Sequence, residues 1–212
     1  MDDQSDPNAA DTRDRLLKEA ARLFAGKGYG ATSIREITRA AKTTNVMVYY
    51  HFGSKAGLHR AIVEDGVARF GEEVIAILQA PGVPLRARLE RLFALYARAL
   101  EERPHVARVV FWAFSNPDDE HLCADLMRDI NARYEDALTC AIEEARDARE
   151  LRGGSWRTLK LMIGGMLMYP VLRGLAGEGE GWERFTEEAL VDLFMEGARQ
   201  PIGADAAPTA DS

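Results

Sequence analysis

The sequence predicts an all-α protein in which a small N-terminal domain of three helices precedes a larger C-terminal helical bundle. Apolar residues recur every three or four positions through most of the 212 residues, which is the spacing of an amphipathic helix. No segment shows the sustained alternation of apolar and polar residues that is typical of a half-buried strand. Charge also divides the chain, because residues 11–60 carry a net charge of +6 and residues 61–212 carry −10.

About nine helices are expected, and their ends coincide with residues that start or stop helices. Gly28 follows the first helix, Ser33 and Glu36 have capping-box spacing, Ser54 caps the fourth helix, and Pro104 begins the sixth. The predicted helices cover residues 11–25, 33–40, 44–51 and 54–79, a fifth ending near 103, a sixth from 104, and then 116–149, 155–176 and 182–199.

Four segments follow from this pattern. Residues 1–10 and 201–212 are polar or rich in Ala, Pro and Asp, and we expect both tails to be disordered. Residues 11–55 form the first domain, and residues 56–200 form the helical body.

Composition indicates a protein that does not span a membrane and whose cysteines are reduced. The chain has no run of about 18 apolar residues, and its acidic start lacks the basic and apolar regions of a secretory signal, so we expect a cytoplasmic protein without a membrane partner. Cys123 and Cys140 fall on one predicted helix, roughly 25 Å apart, so they cannot form a disulfide with each other. Reduced, buried thiols are expected.

Residues 33–51 read as two short helices joined by a tight turn, which is a helix-turn-helix. The second helix of such a pair can enter the major groove of DNA. The positive charge of residues 11–60, on an otherwise acidic chain, is the asymmetry expected when one end contacts phosphates.

On the second helix of this pair, Val48 and Phe52 should face inward, whereas Val46, Met47 and Tyr50 should face outward. Outward apolar groups can contact thymine methyl groups, and tyrosine and histidine can donate to phosphates. The alternative is that these residues are ordinary caps and core residues of a small bundle. The predicted DNA-binding residues are Thr32, Ser33, Lys42, Thr44, Asn45, Val46, Met47, Tyr49, Tyr50, His51 and Lys55.

Residues 11–60 resemble the DNA-binding domain of the TetR family of bacterial transcription regulators, over roughly a quarter of the chain. Lys42 departs from the usual glycine of the turn, and Val46 departs from a residue that is often small. The matching residues are Arg15-Leu-Leu, Ala20-Ala21, Leu23-Phe24, Gly28-Tyr29, Ala31–Ile37, Ala40-Ala41, Val48–Phe52 and Ser54-Lys55.

The resemblance implies a homodimer joined by the last two long helices. The eighth predicted helix is apolar nearly all round, so it should be buried on two sides. A monomer core is the alternative. Gly164-Gly165 within this helix either permits close contact at the dimer seam or makes room for a ligand. The predicted interface residues are Leu159, Ile163, Leu190 and Phe194.

The resemblance also implies a ligand pocket within the body. Aromatic and methionine side chains suit an apolar or aromatic effector, although each residue alone is as consistent with core packing. The predicted lining is His105, Phe111, Trp112, Met127, Tyr134, Met162, Met166 and Tyr169.

The predicted function is a transcriptional repressor that a small apolar or aromatic effector releases from a palindromic operator. The predicted partners are double-stranded DNA, the effector and a second copy of the chain. A transcriptional activator and an effector-independent DNA-binding protein remain alternatives. Catalytic, metal and cofactor motifs are absent from the sequence, so neither an enzyme nor a cofactor is expected.

Overall fold

A computed structural model describes residues 7–115, 123–151, 155–175 and 187–199, and in these ranges the fold is all-helical, as predicted. None of the described helices combines the length and apolar character needed to cross a membrane. The helices are α1 (Pro7–Lys27), α2 (Ile34–Ala40), α3 (Asn45–Phe52), α4 (Lys55–Leu78), α5 (Leu85–Glu102), α6 (Pro104–Ser115), α7 (Ala124–Asp147), α8 (Trp156–Leu175) and α9 (Glu187–Arg199).

Most predicted helix ends lie within two residues of the observed ones. The exception at the N-terminus is α1, which begins at Pro7, so residues 7–10 are helical rather than disordered. The predicted starts of the seventh and ninth helices, at residues 116 and 182, and the tail 201–212 lie outside the described residues.

The helices form two compact units. The first contains the described residues up to Glu72 and those from Glu101 to Ala132, and the second contains Glu73–Leu100 and the described residues from Arg133 onward. The two packing units therefore meet within α4, between Glu72 and Glu73. The domain boundary that the sequence predicts between residues 55 and 56 stays a prediction.

The core of the first unit is built from six helices. Burial of each large apolar side chain contributes about 1.5–3 kcal/mol, and this core joins the helix-turn-helix to α6 and to the start of α7. Its fully buried or nearly buried members include Leu16, Ala20 and Phe24 of α1, Ile37 of α2, Val48 of α3, Leu58 and Ile62 of α4, Val109 of α6 and Met127 of α7.

Two glycines of α4 allow close approach of neighbouring helices. A Cβ atom on Gly66 would lie 2.6 Å from Val110 Cγ2, and one on Gly71 would lie 2.9 Å from Ile130 Cδ1. Carbon atoms normally keep about 3.5–4.0 Å apart. Glycine at both positions therefore permits α6 and α7 to pack directly on the backbone of α4.

Ion pairs connect the same helices at the surface. The Arg60 guanidinium donates to both carboxylate oxygens of Asp125, at 2.9 and 2.8 Å, and to Glu64 at 2.7 Å. Hydrogen bonds from Arg60 lower the pKa of Asp125 to about 2. This pair links α4 to the first turn of α7.

We expect the Arg60–Asp125 pair to make stability depend on acid. The pKa of Asp125 is lowered in the folded state, so the stabilisation is present above the ordinary pKa of 3.8 and is lost as the pH falls towards 2. Urea denaturation of the wild type and Asp125→Asn should show a difference in unfolding free energy that shrinks over this window. A difference that stays constant with pH would contradict the assignment.

In the second unit, Arg88 of α5 holds the end of α4. Its side chain is only 3% exposed, and it donates to the carbonyl oxygens of Leu78 at 2.6 Å and Val83 at 2.8 Å and to Glu144 of α7 at 2.6 Å. At the same end, the Leu85 N–H donates to Glu150 at 2.9 Å. One buried arginine therefore connects α4, the α4–α5 turn and α7.

The cysteines differ from expectation in part. Both are free, but only Cys123 is buried, and burial raises its pKa to about 11. Cys140 is exposed because α7, which begins one residue after Cys123, turns this position to its solvent face.

Candidate nucleic-acid interface

The start of α2 is held by a capping box. The Glu36 N–H donates to Ser33 Oγ at 3.3 Å, and the Ser33 N–H donates to Glu36 Oε2 at 2.9 Å, as predicted from the spacing. Lys27 at the end of α1 donates to Glu36 at 2.5 Å, and this bond, with those from Ser33, lowers the pKa of Glu36 to about 2. The Ser33 side chain is thus engaged in capping and remains exposed.

The turn between α2 and α3 contains a lysine in the left-handed region. Lys42 has φ +51°, and its side chain is exposed. This is the conformation that the glycine usual at this position in the TetR family would suit. A residue with a Cβ in this conformation costs about 1–2 kcal/mol.

We expect Lys42→Gly to raise the free energy of unfolding by about 0.5–1 kcal/mol, since glycine relieves the strain but loses more entropy on folding. Lys42→Ala is the matched control, because it removes the same charge and keeps the Cβ. Equal stabilisation by both variants in thermal denaturation would show that charge, not backbone strain, is responsible.

The α3 helix presents a buried face and an exposed face. Val48 is fully buried, and Phe52 packs against the same core. Val46 is 71% exposed and Tyr50 is 74% exposed, as predicted, and Tyr49 is exposed beside them. Met47 does not face outward as expected; it is half-buried against the core.

The remaining predicted residues of α3 lie at its ends. Asn45 is exposed, and its Oδ1 accepts a hydrogen bond of 2.8 Å from Thr38 Oγ1 on α2, which places the start of α3 against α2. Thr44 is the N-cap, but its exposed hydroxyl makes no capping bond. His51 is half-buried, with its ring 4.9 Å from that of Tyr50.

The structure gives Thr32 and Lys55 internal roles that the sequence did not indicate. Thr32 is buried, and its hydroxyl donates to the Gly28 carbonyl oxygen at 2.8 Å. Lys55 Nζ donates to the carbonyl oxygens of Tyr29 and Thr32, both at 2.9 Å, and lies 4.1 Å from the centre of the Tyr29 ring. Lys55 thus holds the α1–α2 loop to α4, and Thr32 holds that loop together. Burial of the Thr32 side chain corrects its predicted role as a direct phosphate contact, whereas that role stays a prediction for the half-buried Lys55.

Sequence reasoning missed two exposed arginines on α2. Arg35 and Arg39 are four residues apart on its solvent face, and neither guanidinium has an ion-pair or hydrogen-bond partner within the described part of the chain. Their spacing with Lys42, at four and then three residues, is the helical signal that would have found them.

The predicted effector residues occupy varied environments. In the first unit, Met127 is buried in the core, Phe111 is half-buried, and His105 and Trp112 are exposed. In the second, Tyr134 and Met166 are half-buried, and burial with the nearby Glu135 charge raises the pKa of Tyr134 to about 12. Met162 and Tyr169 are exposed on α8 rather than facing an interior pocket. All eight remain predictions as ligand contacts.

A shallow surface cleft of about 380 Å³ lies on α7 and α8, and it includes none of these eight residues. Nothing lies within 4 Å of a Cβ built on Gly164 or Gly165, so these glycines open towards the surface of the described chain. The cleft is lined by Glu135, Trp156, Arg157, Lys160, Leu161, Gly164 and Gly165.

The structure corrects the predicted dimer interface at three of its four residues, and Leu190 stays a prediction. Leu159, Ile163 and Phe194 are buried within the single chain, and Leu190 is half-buried. Leu161 is two positions from both Leu159 and Ile163, and residues at that spacing on a helix point about 200° apart. The face of α8 opposite these two buried residues therefore carries exposed apolar side chains. The large exposed apolar residues on this side of α8, together with the one on α9, are Leu161, Met162, Tyr169, Leu172 and Leu193, hereafter the apolar outer face.

Comparisons with known proteins agree with the helix-turn-helix formed by α2 and α3. The family model described as bacterial regulatory proteins, tetR family, matches residues 16–62, which contain α2, α3 and the intervening turn. Residues 16–62 are therefore similar to the DNA-binding region of the TetR family. The TetR-family members are DNA-binding transcription factors rather than enzymes.

Individual curated proteins match different shares of the chain. The regulator AcrR of Shigella flexneri is 37% identical over 97 residues, which are 45% of each chain, so the match spans less than half of that relative. The repressor Rv3405c of Mycobacterium tuberculosis is 29% identical over 167 residues, covering 78% of this chain and 77% of its own.

The solved structure of AibR, which holds isovaleryl coenzyme A and operator DNA, has the same fold. Its TM-score is 0.66 at 23% identity, and the match covers 90% of this chain and 99% of AibR. The fold shared with AibR therefore includes the helical body as well as the N-terminal helices.

Proposed function

We propose that this protein is a transcriptional repressor that binds a palindromic operator through α3 and is released from it by a small apolar or aromatic effector. One observation carries the DNA-binding part of the proposal. The α3 helix is anchored by the fully buried Val48, yet it exposes Val46, Tyr49 and Tyr50 on its other side. Exposed apolar and aromatic side chains on a helix near the exposed Arg35 and Arg39 of α2 suit binding in a DNA groove.

Each exposed group of α3 has a complementary group on DNA. The Val46 methyl groups suit the methyl group of thymine, and the tyrosine hydroxyls can donate to phosphate oxygens. The Asn45 Oδ1 is occupied by Thr38, so its amide nitrogen remains to donate to a base or a phosphate.

The first experiment is to incubate the purified protein with fragments of its source genome and to sequence those retained. A short palindrome upstream of or across a promoter is expected. Position across the promoter supports a repressor, and position upstream supports an activator. Retention of fragments without a shared sequence would contradict a sequence-specific regulator.

We expect Tyr50→Ala to weaken binding to the retained fragment about tenfold, or ~1.4 kcal/mol, because it removes a hydroxyl and an exposed ring from the groove-facing side. Tyr50→Phe should lose less, since only the hydroxyl is removed. Fluorescence anisotropy with labelled duplex measures both. Unchanged affinity of the alanine variant would place this face of α3 away from DNA.

A homodimer is the proposed assembly, because one helix-turn-helix reads few base pairs and a palindrome matches two-fold symmetry. The apolar outer face supports it. Leu161 is 77% exposed and Leu193 is 70% exposed, and several large exposed apolar side chains on two helices in contact suit an interaction site. Gly164 and Gly165 on the same helix have open space beside them, which favours close helix contact at a dimer interface over an enclosed ligand cavity.

The effector is proposed to be apolar or aromatic, and AibR, with bound isovaleryl coenzyme A, suggests acyl thioesters as the first probes. Acyl coenzyme A thioesters of increasing chain length and small aromatic acids should be titrated into the DNA complex. At least one is expected to lower operator affinity. If none does, the effector-independent alternative is favoured. The cytoplasm is the proposed location, because a regulator of transcription acts where the DNA is.

A further inference from the structure

The cations of the N-terminal helices divide into paired and unpaired groups. Residues 11–60 contain ten Lys and Arg residues. Five of them hold intramolecular partners: Arg15 with Asp11, Arg22 with Glu19, Lys27 with Glu36, Lys55 with two carbonyl oxygens, and Arg60 with Asp125. Much of the positive charge noted in the sequence is therefore neutralised or used within the fold.

Three of the remaining cations form one row. Arg35, Arg39 and Lys42 are all exposed, and within the described residues none has an ion-pair or side-chain hydrogen-bond partner. Arg35 and Arg39, four residues apart on α2, lie on one face of that helix. Lys42 lies in the turn that follows, where its N–H donates to the Arg39 carbonyl oxygen at 3.3 Å. The row therefore follows the solvent face of α2 and ends in the turn that leads into α3.

The start of α3 lies beside this row. On α2, Thr38 lies about 60° around the helix from Arg35, between the row and the buried Ile37, and its hydroxyl donates to Asn45 at 2.8 Å. This bond places the first residue of α3 next to the three cations. A duplex that receives α3 in its major groove therefore brings a phosphate backbone towards α2.

We propose that Arg35, Arg39 and Lys42 form a phosphate-binding row that positions α3 on double-stranded DNA. The inference rests on the proposed DNA-binding function and names residues of that site beyond α3. Two cations on one face of α2 and a third in the turn at its end would repel one another in the isolated protein, and a phosphate backbone relieves that repulsion. Lys42 would then offset its strained φ by a contact made only in the complex.

The test measures how binding depends on salt. Affinity should be determined between about 50 and 200 mM salt for a random-sequence duplex and for the fragment retained from the genome. Each of Arg35→Gln and Arg39→Gln should reduce the slope of log K against log salt by about 0.9, and the triple variant with Lys42→Gln by roughly three times as much. The loss should be similar on both duplexes, because phosphate contacts do not distinguish sequence.

Two controls separate charge from folding. Arg91→Gln removes an exposed cation of α5 in the other unit and should leave the slope unchanged. The charge-conserving triple variant Arg35→Lys, Arg39→Lys and Lys42→Arg should keep the wild-type slope. A triple glutamine variant with the wild-type slope overturns the row. Failure of the wild type to retain any specific fragment instead overturns the proposed function.

Discussion

Leu161→Glu is expected to convert the protein to a monomer and to weaken operator binding about 100-fold or more. Leu161 is 77% exposed on α8 in the single chain, so glutamate is accommodated without disturbing the fold. In a dimer the same side chain would be buried, and a carboxylate would be desolvated without a partner. Loss of the dimer removes the gain of about 10²–10⁴ that comes from linking two DNA-binding modules.

Sedimentation equilibrium should report the mass, and anisotropy should report affinity for a full palindrome and for a half-site. Leu161→Glu should bind the half-site as the wild type does. Leu159→Ala, two residues away and buried, is the matched control for stability: it should lower the free energy of unfolding by about 2–5 kcal/mol while leaving the outer face intact. A Leu161→Glu protein that remains dimeric would rule out the apolar outer face as the seam.

Arg88→Met is expected to lower the free energy of unfolding by about 3 kcal/mol. The substitution leaves the carbonyl oxygens of Leu78 and Val83 without this donor, and each unsatisfied buried group costs about 1–3 kcal/mol. The ion pair with Glu144 contributes less, because that carboxylate is exposed and solvent can replace its partner.

Urea denaturation measures this effect, and Arg91→Met, at an exposed position of the same helix, should change stability by less than about 0.5 kcal/mol. Arg88→Lys should recover only part of the loss, since an ammonium cannot reproduce the planar set of donors. If the denaturation midpoint of Arg88→Met equals that of the wild type, Arg88 does not secure the α4–α5 turn.

Local signals predicted the helices of this chain well. The Ser33–Glu36 box and the Ser54 cap, whose Oγ accepts from the Gly57 N–H at 2.9 Å, are formed as their spacing indicated. Such ends are readable because the cap and its partner lie within four residues of each other. The inward direction of Val48 followed equally from helical periodicity.

Assignments that depend on distant residues were less successful. The helical pattern marked Lys55 as a cation near a helix start, but its partners, Tyr29 and Thr32, are more than twenty residues away. Likewise, the pattern of α8 indicated two apolar faces without showing which one packs inside the chain. Arg35 and Arg39 were overlooked because a sequence does not distinguish a paired cation from an unpaired one.

The all-helical class, the helix-turn-helix and the outward direction of Val46 and Tyr50 could all be read from the sequence, because each depends on spacing within a few residues. Tertiary structure alone decided which cations remain unpaired, that α6 shares a core with the helix-turn-helix, and that Leu161 rather than Leu159 faces solvent. These outcomes depend on which surfaces meet in space, and apolar periodicity or net charge along one helix does not specify that choice.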